Sequence, residues 1–191
     1  EALAETVADM PEHERAARTD ALTGLPNRRA LATMDAEASL RGRADWAVVY
    51  VDLNGFKAVN DTAGHDQGDA MLRTAARHLA ELAQPNPVFR IGGDEFLVVL
   101  VGASEAVRVS DLAALIESTS RFACDAGDER IIVGASAGIA FPEAGEGLAE
   151  VAARADQAMY GSKRRRATDR PARVAAADAA GDEGPTVRIL P

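Results

Sequence analysis

The chain contains 191 residues, of which 47% are apolar, and it carries a formal net charge of −9. This length and composition suit one domain of ordinary size with terminal extensions. The acidic balance argues against general nucleic-acid binding, which needs a broad basic surface. Cys124 is the single cysteine, so no internal disulfide forms, and no run reaches the roughly 18 apolar residues of a membrane span. These features predict a cytoplasmic segment without membrane contact.

Residues 1–19 are predicted to form the end of a helical stalk. Apolar side chains recur there near heptad spacing, although Pro11 should interrupt a continuous helix. The chain begins without a methionine, and we expect a sensory region to precede it in a longer protein. The turn-rich segment that follows ends at Asn27, which is placed to cap a helix from Arg28 to about Leu40.

The central part of the chain alternates apolar and amphipathic segments. Residues 46–52 are nearly all apolar, which is typical of a central strand covered on both faces. Residues 87–91 and 95–101 predict two strands joined by a two-residue hairpin turn, Gly92-Gly93, with positive φ. The remaining predicted elements are helices at about 56–60, 66–83, 104–124 and 148–164 and a strand at 130–140.

This order of elements resembles a split βαβ arrangement. It predicts an α/β (α+β) fold with a mostly antiparallel central sheet flanked by helices. We place the domain at residues 20–166. Residues 167–191 are rich in alanine, arginine, aspartate and glycine, and this composition predicts a mobile C-terminal tail.

Two acids at the hairpin are separated by its predicted register. A two-residue turn places Arg90 opposite Glu95 and Ile91 opposite Asp94. Glu95 then has either a cross-strand ion pair with Arg90 or a functional role. Asp94 lies among apolar side chains without a basic partner in its own hairpin, and such a carboxylate needs another explanation.

Asp52 ends the apolar strand at 46–52 and could approach Asp94 if the two strands are neighbours. Two carboxylates about 4 Å apart repel by roughly 4 kcal/mol at an effective dielectric near 20, so they share a proton or bind a cation. Mg²⁺ takes few protein carboxylates and completes its shell with water and phosphate oxygens. The structural alternative for Asp52 is a helix or turn cap.

Two further sets of polar residues each have two interpretations. Asn60 and Asp69 could contact a base edge such as that of guanine, but Asp66 and Asp69 could equally form the capping box of a helix. The 21 basic residues include only two lysines, Lys57 and Lys163, which suit phosphate contacts. The basic run that starts at Lys163 is alternatively a solvated helix end.

Motifs over about residues 20 to 165 resemble the GGDEF domain of diguanylate cyclases: "DALTGLPNRRAL", "VDLNGFKAVNDTAGHDQGDAML", "FRIGGDEFLVVL", "SAGIA" and "ADQAMYGSK". The resemblance implies a ferredoxin-like or cyclase-palm βαββαβ fold. It also implies condensation of two GTP molecules into cyclic di-GMP with release of two pyrophosphates, in a homodimer that holds one GTP per domain. Mg²⁺ is the implied cofactor, with two ions per active site, and Mn²⁺ is an alternative.

The resemblance also implies roles for residues of this chain. The implied metal ligands are Asp52, Asp94 and the backbone carbonyl of Leu53. The implied catalytic residues are Asp94, Glu95 and Lys57, with either acid accepting the hydroxyl proton. The implied substrate-binding residues are Asn60 and Asp69 at guanine, Phe56, Lys57, Lys163 and Arg166 near the phosphates, and Gly92 and Gly93, which leave room for the nucleotide.

Two positions depart from the family pattern. Its product-inhibition motif, Arg-x-x-Asp, is replaced by "AQPN" at Ala83–Asn86, so feedback by cyclic di-GMP at that site should be absent. Ala167 stands where the family often has an arginine, which Arg165 or Arg166 is expected to replace. The alternative function is a catalytically inactive family member that binds GTP as a sensor or serves as a protein-interaction module.

Overall fold

The computed structural model describes residues 12–36, 40, 45–102, 106–126, 129–165, 172–175 and 187–190. Its helices are α1 (Glu12–Arg18), α2 (Arg28–Ala36), α3 (Phe56–Ala63), α4 (His65–Ala83), α5 (Ala106–Thr119) and α6 (Leu148–Arg165). Its strands are β1 (Trp46–Asn54), β2 (Val88–Arg90), β3 (Glu95–Val101), β4 (Phe122–Ala126), β5 (Glu129–Ala140), β6 (Ala172–Ala175) and β7 (Val187–Ile189).

The strands form an antiparallel sheet with β1 near its centre. The order is β2-β3-β1-β5-β4-β7, and β6 pairs with the N-terminal part of β5. Alternate residues of β1 enter different cores, so the strand is buried on both faces. Val49 and Leu53 pack toward α3, α4 and α5, whereas Trp46 and Tyr50 pack toward α2 and α6. The structure confirms the predicted fold class and the central strand.

The segment predicted as a single helix from Ser104 to Cys124 is a helix followed by a strand, so that prediction is wrong. α5 ends at Thr119, and β4 begins at Phe122. Phe122 and Cys124 are both fully buried in the core, where β4 packs against α3 and α4. A strand buries residues two apart on one face, which a helix with a 3.6-residue period cannot do.

The region predicted to be a mobile tail contributes two short strands. β6 continues the line of β1 along β5, and β7 pairs with β4. Arg188 of β7 forms an ion pair with Asp125 of β4, with Nη1 3.0 Å from Oδ2. Leu190 donates its N–H to the Arg121 carbonyl over 2.7 Å. β7 therefore covers a backbone edge that β4 would otherwise present.

Several predicted boundaries shift in the structure. α1 is the described part of the predicted stalk, and residues 1–11 lie outside the described residues. α3 and α4 almost meet, separated only by Gly64 with φ 85°. None of the described helices combines the length and the apolar character needed to cross a lipid bilayer.

Helix α6 lies directly on strand β5 at Gly138. A Cβ built at Gly138 would overlap the Ala155 carbonyl oxygen and the Met159 nitrogen, and it would lie 2.6 Å from the Met159 Cβ. Ala155, Met159 and Lys163 recur every four residues, so they share one face of α6. The close contact at Gly138 therefore fixes the distance between α6 and the sheet, and with it the position of Lys163 relative to β1.

We expect Gly138→Ala to lower the free energy of unfolding by about 1–3 kcal/mol, the usual cost of overpacking a core. The added methyl meets backbone atoms of α6, so the helix itself must move. For a domain of this size each kcal/mol corresponds to roughly 2–4 °C in Tm. Thermal unfolding measures the change.

Gly134→Ala on the same strand is the matched control. At Gly134 the nearest atom to a new Cβ is the Asn54 Nδ2, at 3.9 Å. Equal Tm values for the two variants would show that α6 does not depend on the close approach at Gly138.

Candidate active site

The turn between β2 and β3 contains three residues. Arg90 pairs with Phe96, and Ile91 donates its N–H to the Glu95 carbonyl over 3.0 Å. The loop is therefore Gly92, Gly93 and Asp94, and the predicted two-residue turn is wrong by one position. Neither glycine has a φ in the left-handed region.

Arg90 does not pair with Glu95, because the register shift places Phe96 opposite it. Its Nη1 lies 2.9 Å from Asp20 Oδ1, and its Nε and Nη2 donate to the Gly93 carbonyl over 3.2 and 2.7 Å. Partial burial acts to raise the pKa of Asp20, but hydrogen bonds from Thr23 and Arg90 outweigh it and lower that pKa. Arg90 thus ties the glycine turn to the segment before α2.

Glu95 lies opposite Asp52 of β1 in the sheet. Its carboxylate accepts a hydrogen bond from the Tyr50 hydroxyl. Burial raises the pKa of Tyr50, and the charges of Glu95 and Asp156 raise it further. A Cβ built at Gly92 would overlap the Glu95 carboxylate and lie 3.0 Å from its Cδ. Gly92 therefore leaves room for the Glu95 side chain.

Gly93 differs from Gly92 because it faces open space. A Cβ built there would have no neighbour within 4 Å. The residue is exposed at the tip of the turn, and its carbonyl is held by Arg90. A ligand can therefore approach the backbone at Gly93 without moving protein atoms.

The structure brings Asp52, Asp94 and Lys163 together at one end of β1. The Leu53 N–H donates to the Asp94 carbonyl over 3.2 Å, which fixes the turn against β1. Lys163 Nζ forms an ion pair with Asp52. Burial raises the pKa of Asp94, and the Asp52 charge raises it further. Lys163 is therefore already paired with Asp52. The negative charge of Asp94 lies beside Asp52 and is only partly balanced by Lys163.

Asp52 is a strand residue and not a cap, since α3 begins after Gly55 without a side-chain cap. Within the described residues, no group of three or more histidine, cysteine, aspartate or glutamate side chains is placed to hold a metal. The two acids instead resemble a partial site, which suits a hard cation that takes its other ligands from water or phosphate. The raised pKa of Asp94 fits such a cation, because positive charge there favours the ionised carboxylate.

Asn60 of α3 lies against Gly68 of α4, the residue that precedes Asp69. A Cβ built at Gly68 would overlap the Asn60 Oδ1, lie 3.0 Å from its Cγ and lie 3.2 Å from Phe56 Cζ. The Asn60 amide is therefore seated on Gly68, next to Asp69. α4 begins after Gly64 without a side-chain cap, so the capping box does not form.

Lys57 is exposed over 85% of its side chain and pairs with Asp61, with Nζ 2.9 Å from Oδ2. An exposed pair of this kind contributes less than about 1 kcal/mol, so Lys57 can exchange Asp61 for another anion. Phe56 beside it is buried. Arg166 lies outside the described residues.

Sequence reasoning missed three residues that shape this site. Gly68 seats Asn60, Gly138 admits α6, and Tyr50 binds Glu95. A glycine inside a helix costs about 1 kcal/mol relative to alanine, and this cost was the available signal at Gly68. Tyr50 carried a weaker signal, as a hydroxyl within a buried strand that needs a partner.

The antiparallel sheet, its two helical layers and the carboxylates at the end of β1 define a cyclase-like α+β domain. The family model described as diguanylate cyclase, GGDEF domain, matches residues 17–169, and the chain belongs to this family.

Two curated proteins are similar to this chain in sequence. Signaling protein YkoW of Bacillus subtilis is 36% identical over 162 residues, which cover 81% of this chain and 20% of that protein. Diguanylate cyclase DgcZ of Escherichia coli is 37% identical over 148 residues, which cover 75% of this chain and 49% of that protein. The chain thus spans about half or less of these relatives.

A solved structure of the coiled coil and GGDEF domain of DgcB from Caulobacter crescentus, in complex with c-di-GMP, is also similar. It aligns with a TM-score of 0.65 and 29% identity, covering 86% of this chain and 88% of that one. Its agreement with the present sheet and helices supports the same fold.

Proposed function

We propose that this domain is a diguanylate cyclase that condenses two GTP molecules into cyclic di-GMP and releases two pyrophosphates. The observation that carries the proposal is Asp94, a carboxylate of raised pKa that lies beside Asp52 at an open glycine turn. Family membership and the names of relatives support the same activity.

Asp52 and Asp94 would hold the cation, together with the Leu53 carbonyl. When bound, Mg²⁺ or its substitute Mn²⁺ supplies positive charge that stabilises the phosphoryl oxygens and lowers the pKa of the attacking hydroxyl. Two ions per site would satisfy both acids. Calorimetric titration of the chain with Mg²⁺ and a GTP analogue that cannot cyclise tests this assignment independently of turnover.

The remaining residues bind and orient GTP. Asn60 and Asp69 would contact the guanine edge, with Asp69 accepting from its N–H groups. Lys57 would leave Asp61 to meet the terminal phosphates, and Lys163 would add charge next to Asp52. Phe56 lies close to Gly68, as Asn60 does, and Arg166, which is outside the described residues, would add positive charge for the phosphates. Gly93 would admit the nucleotide against the turn.

The chemical step is an in-line displacement at the α-phosphorus. The 3′-oxygen of one GTP forms a bond to the α-phosphorus of the other, and the bond from that phosphorus to the bridging oxygen breaks. Asp94 or Glu95 accepts the hydroxyl proton. Pyrophosphate leaves with the electron pair, and a second equivalent step closes the ring.

A homodimer is part of the proposal, because each domain binds one GTP and two domains must face each other. The specific rate should therefore rise with protein concentration until the dimer is saturated. Light scattering in parallel with the rate measurement relates the two directly.

The proposal is tested by incubating the purified chain with GTP and Mg²⁺ and separating the nucleotides by chromatography. We expect cyclic di-GMP and pyrophosphate in a ratio of one to two. A demonstrably dimeric sample that forms no cyclic di-GMP, and in which Asp94→Ala behaves like the unmodified chain, would overturn the cyclase assignment.

We expect Tyr50→Phe to lower kcat about tenfold with little change in the KM for GTP. The Tyr50 hydroxyl orients Glu95, and losing one such hydrogen bond costs about 1–3 kcal/mol. The same substitution at Tyr160, exposed on α6, is the control. Steady-state kinetics distinguish the two, and equal kcat values would remove the positioning role from Tyr50.

We expect cyclic di-GMP added at the same concentration as GTP to leave the rate unchanged. Ala83 and Asn86 stand where the family motif carries its arginine and aspartate. Ala83 is buried, and the Asn86 side-chain amide donates to the Ala83 carbonyl over 2.9 Å, so neither position offers a charge to the product. Initial-rate measurements with and without added product test this expectation. Strong inhibition would reveal a product site elsewhere in the protein.

A further inference from the structure

A cavity of about 370 Å³ lies between α4 and the turn that precedes α2, outside the site described above. Its walls are formed by Leu22, Thr23, Ala70, Arg73, Thr74 and Arg77. We propose that this cavity binds a diphosphate group through the guanidinium groups of Arg73 and Arg77.

The two arginines are exposed one helical turn apart on α4. Each has an acid four residues away on the same helix, Asp69 for Arg73 and Glu81 for Arg77, and such pairs ordinarily form. Neither pair forms here, and neither arginine makes a salt bridge or side-chain hydrogen bond to any described residue. Both side chains line the cavity instead.

This arrangement suits a diphosphate in particular. A guanidinium presents a planar fork of donors that matches phosphate oxygens in a bidentate geometry. Residues four apart on a helix have Cβ atoms about 5–6 Å apart, so adjacent phosphate groups can each meet one fork. The chain has a net charge of −9, so an anion is retained only where cations are locally concentrated, as they are at Arg73 and Arg77.

The opposite wall of the cavity is held in place before any ligand binds. The Thr23 N–H and hydroxyl donate to Asp20 Oδ1 over 2.9 and 2.7 Å, and Asp20 pairs with Arg90. The Thr74 hydroxyl donates to the Ala70 carbonyl over 2.9 Å. Both hydroxyl protons are thus engaged, which leaves the two guanidinium groups as the anion donors. A rigid wall reduces the entropy lost on binding.

The diphosphate can belong to free pyrophosphate or to a nucleotide. Leu22 provides an apolar wall beside the arginines, and a base could lie against it. Binding of pyrophosphate alone and of ADP, whose adenine avoids a guanine-selective site, distinguishes the two sources. Either compound binding at Arg73 and Arg77 supports a diphosphate site.

The test is a nuclear magnetic resonance titration of the ¹⁵N-labelled chain, free of metal, with sodium pyrophosphate and separately with ADP. We expect saturable shifts of the amide signals of residues 22–23 and 70–77. Arg73→Gln combined with Arg77→Gln should weaken the Kd by at least about tenfold, given the strength of guanidinium–phosphate hydrogen bonds.

The matched control is Arg15→Gln combined with Arg29→Gln, which removes two other exposed arginines and gives the same net charge. It should leave the Kd unchanged. Arg73→Lys combined with Arg77→Lys keeps the charge without the planar guanidinium and should give an intermediate Kd. Equal weakening by the control pair, or shifts confined to residues near Gly93, Lys57 and Lys163, would overturn the proposal.

Discussion

Asp94→Asn should reduce cyclic di-GMP formation by roughly 1000-fold and at the same time raise the Tm of the protein without nucleotide. Positive charge held at the reacting phosphate contributes several kcal/mol to such a transfer, and each 1.36 kcal/mol is a factor of about ten in rate. The gain in stability has a different cause. The Asp94 carboxylate is half-buried beside Asp52, and asparagine removes that charge while keeping the shape of the side chain.

The stability change should depend on pH with a definite sign. The folded pKa of Asp94 lies above its ordinary value of 3.8, so the folded state binds the proton more tightly than the unfolded state. Stability contributed by this group is then fully present below the unfolded pKa and is lost as pH rises through the folded pKa. The Tm advantage of Asp94→Asn should therefore be larger at neutral pH than near about pH 4.

Asp52→Asn is the control for this interpretation. Asp52 is paired with Lys163, so its replacement leaves a partly buried lysine without its partner. We expect it to lose activity without the gain in Tm. Mg²⁺ with a GTP analogue that cannot cyclise should raise the Tm of the unmodified chain and not that of Asp94→Asn. A Tm lower for Asp94→Asn than for the unmodified chain would show that the folded protein stabilises the Asp94 carboxylate, and would contradict this interpretation.

The sequence was sufficient to put Asp52 at the end of a strand and Asp94 at a hairpin, because the apolar strand and the hairpin are both strong local patterns. It left open whether the two strands are neighbours, which the pairing of β1 with β3 decides. It was not sufficient for the hairpin register. Two adjacent glycines permit loops of either two or three residues, and the longer loop is accompanied by an ion pair between Arg90 and Asp20, 70 residues apart in the chain. No local pattern reports a contact of that length.

The same limit explains the missed strands. β4 follows α5 after a short turn, and its five residues form a strand because β5 and β7 lie on either side of it. The β7 segment has only three residues and contributes no periodic signal of its own. Boundaries of this kind are decided by tertiary pairing, whereas the long periodic elements α4 and α6 were evident from the chain itself.

The glycines show most clearly which features a local sequence pattern can predict and which depend on contacts with distant parts of the chain. Gly64 has a positive φ, which a turn between two helices makes predictable. Gly68 and Gly138 have ordinary backbone conformations and are required by what lies opposite them. Only the structure identifies Asn60 as the neighbour of Gly68. A side chain added at Gly68 is therefore expected to affect GTP binding through Asn60.

Gly68→Ala should raise the KM for GTP by roughly 10–100-fold while leaving the Tm unchanged or higher. Alanine in a helix interior is favoured over glycine by about 1 kcal/mol, and the atom it meets is the end of the Asn60 side chain, which can rotate away. Displacing that amide removes its hydrogen bonding to the guanine edge, a loss of about 1–3 kcal/mol. Preference for GTP over ATP should fall in parallel.

A double-mutant cycle separates this mechanism from a general disturbance of α4. Asn60→Ala should raise the KM by a similar factor, and adding Gly68→Ala to it should change the KM little further, since both act through the same amide. Kinetics with GTP and with ATP for the four proteins give the coupling. Additive losses would mean that Gly68 serves the nucleotide or the helix directly, and the seating of Asn60 on Gly68 would then not explain the glycine.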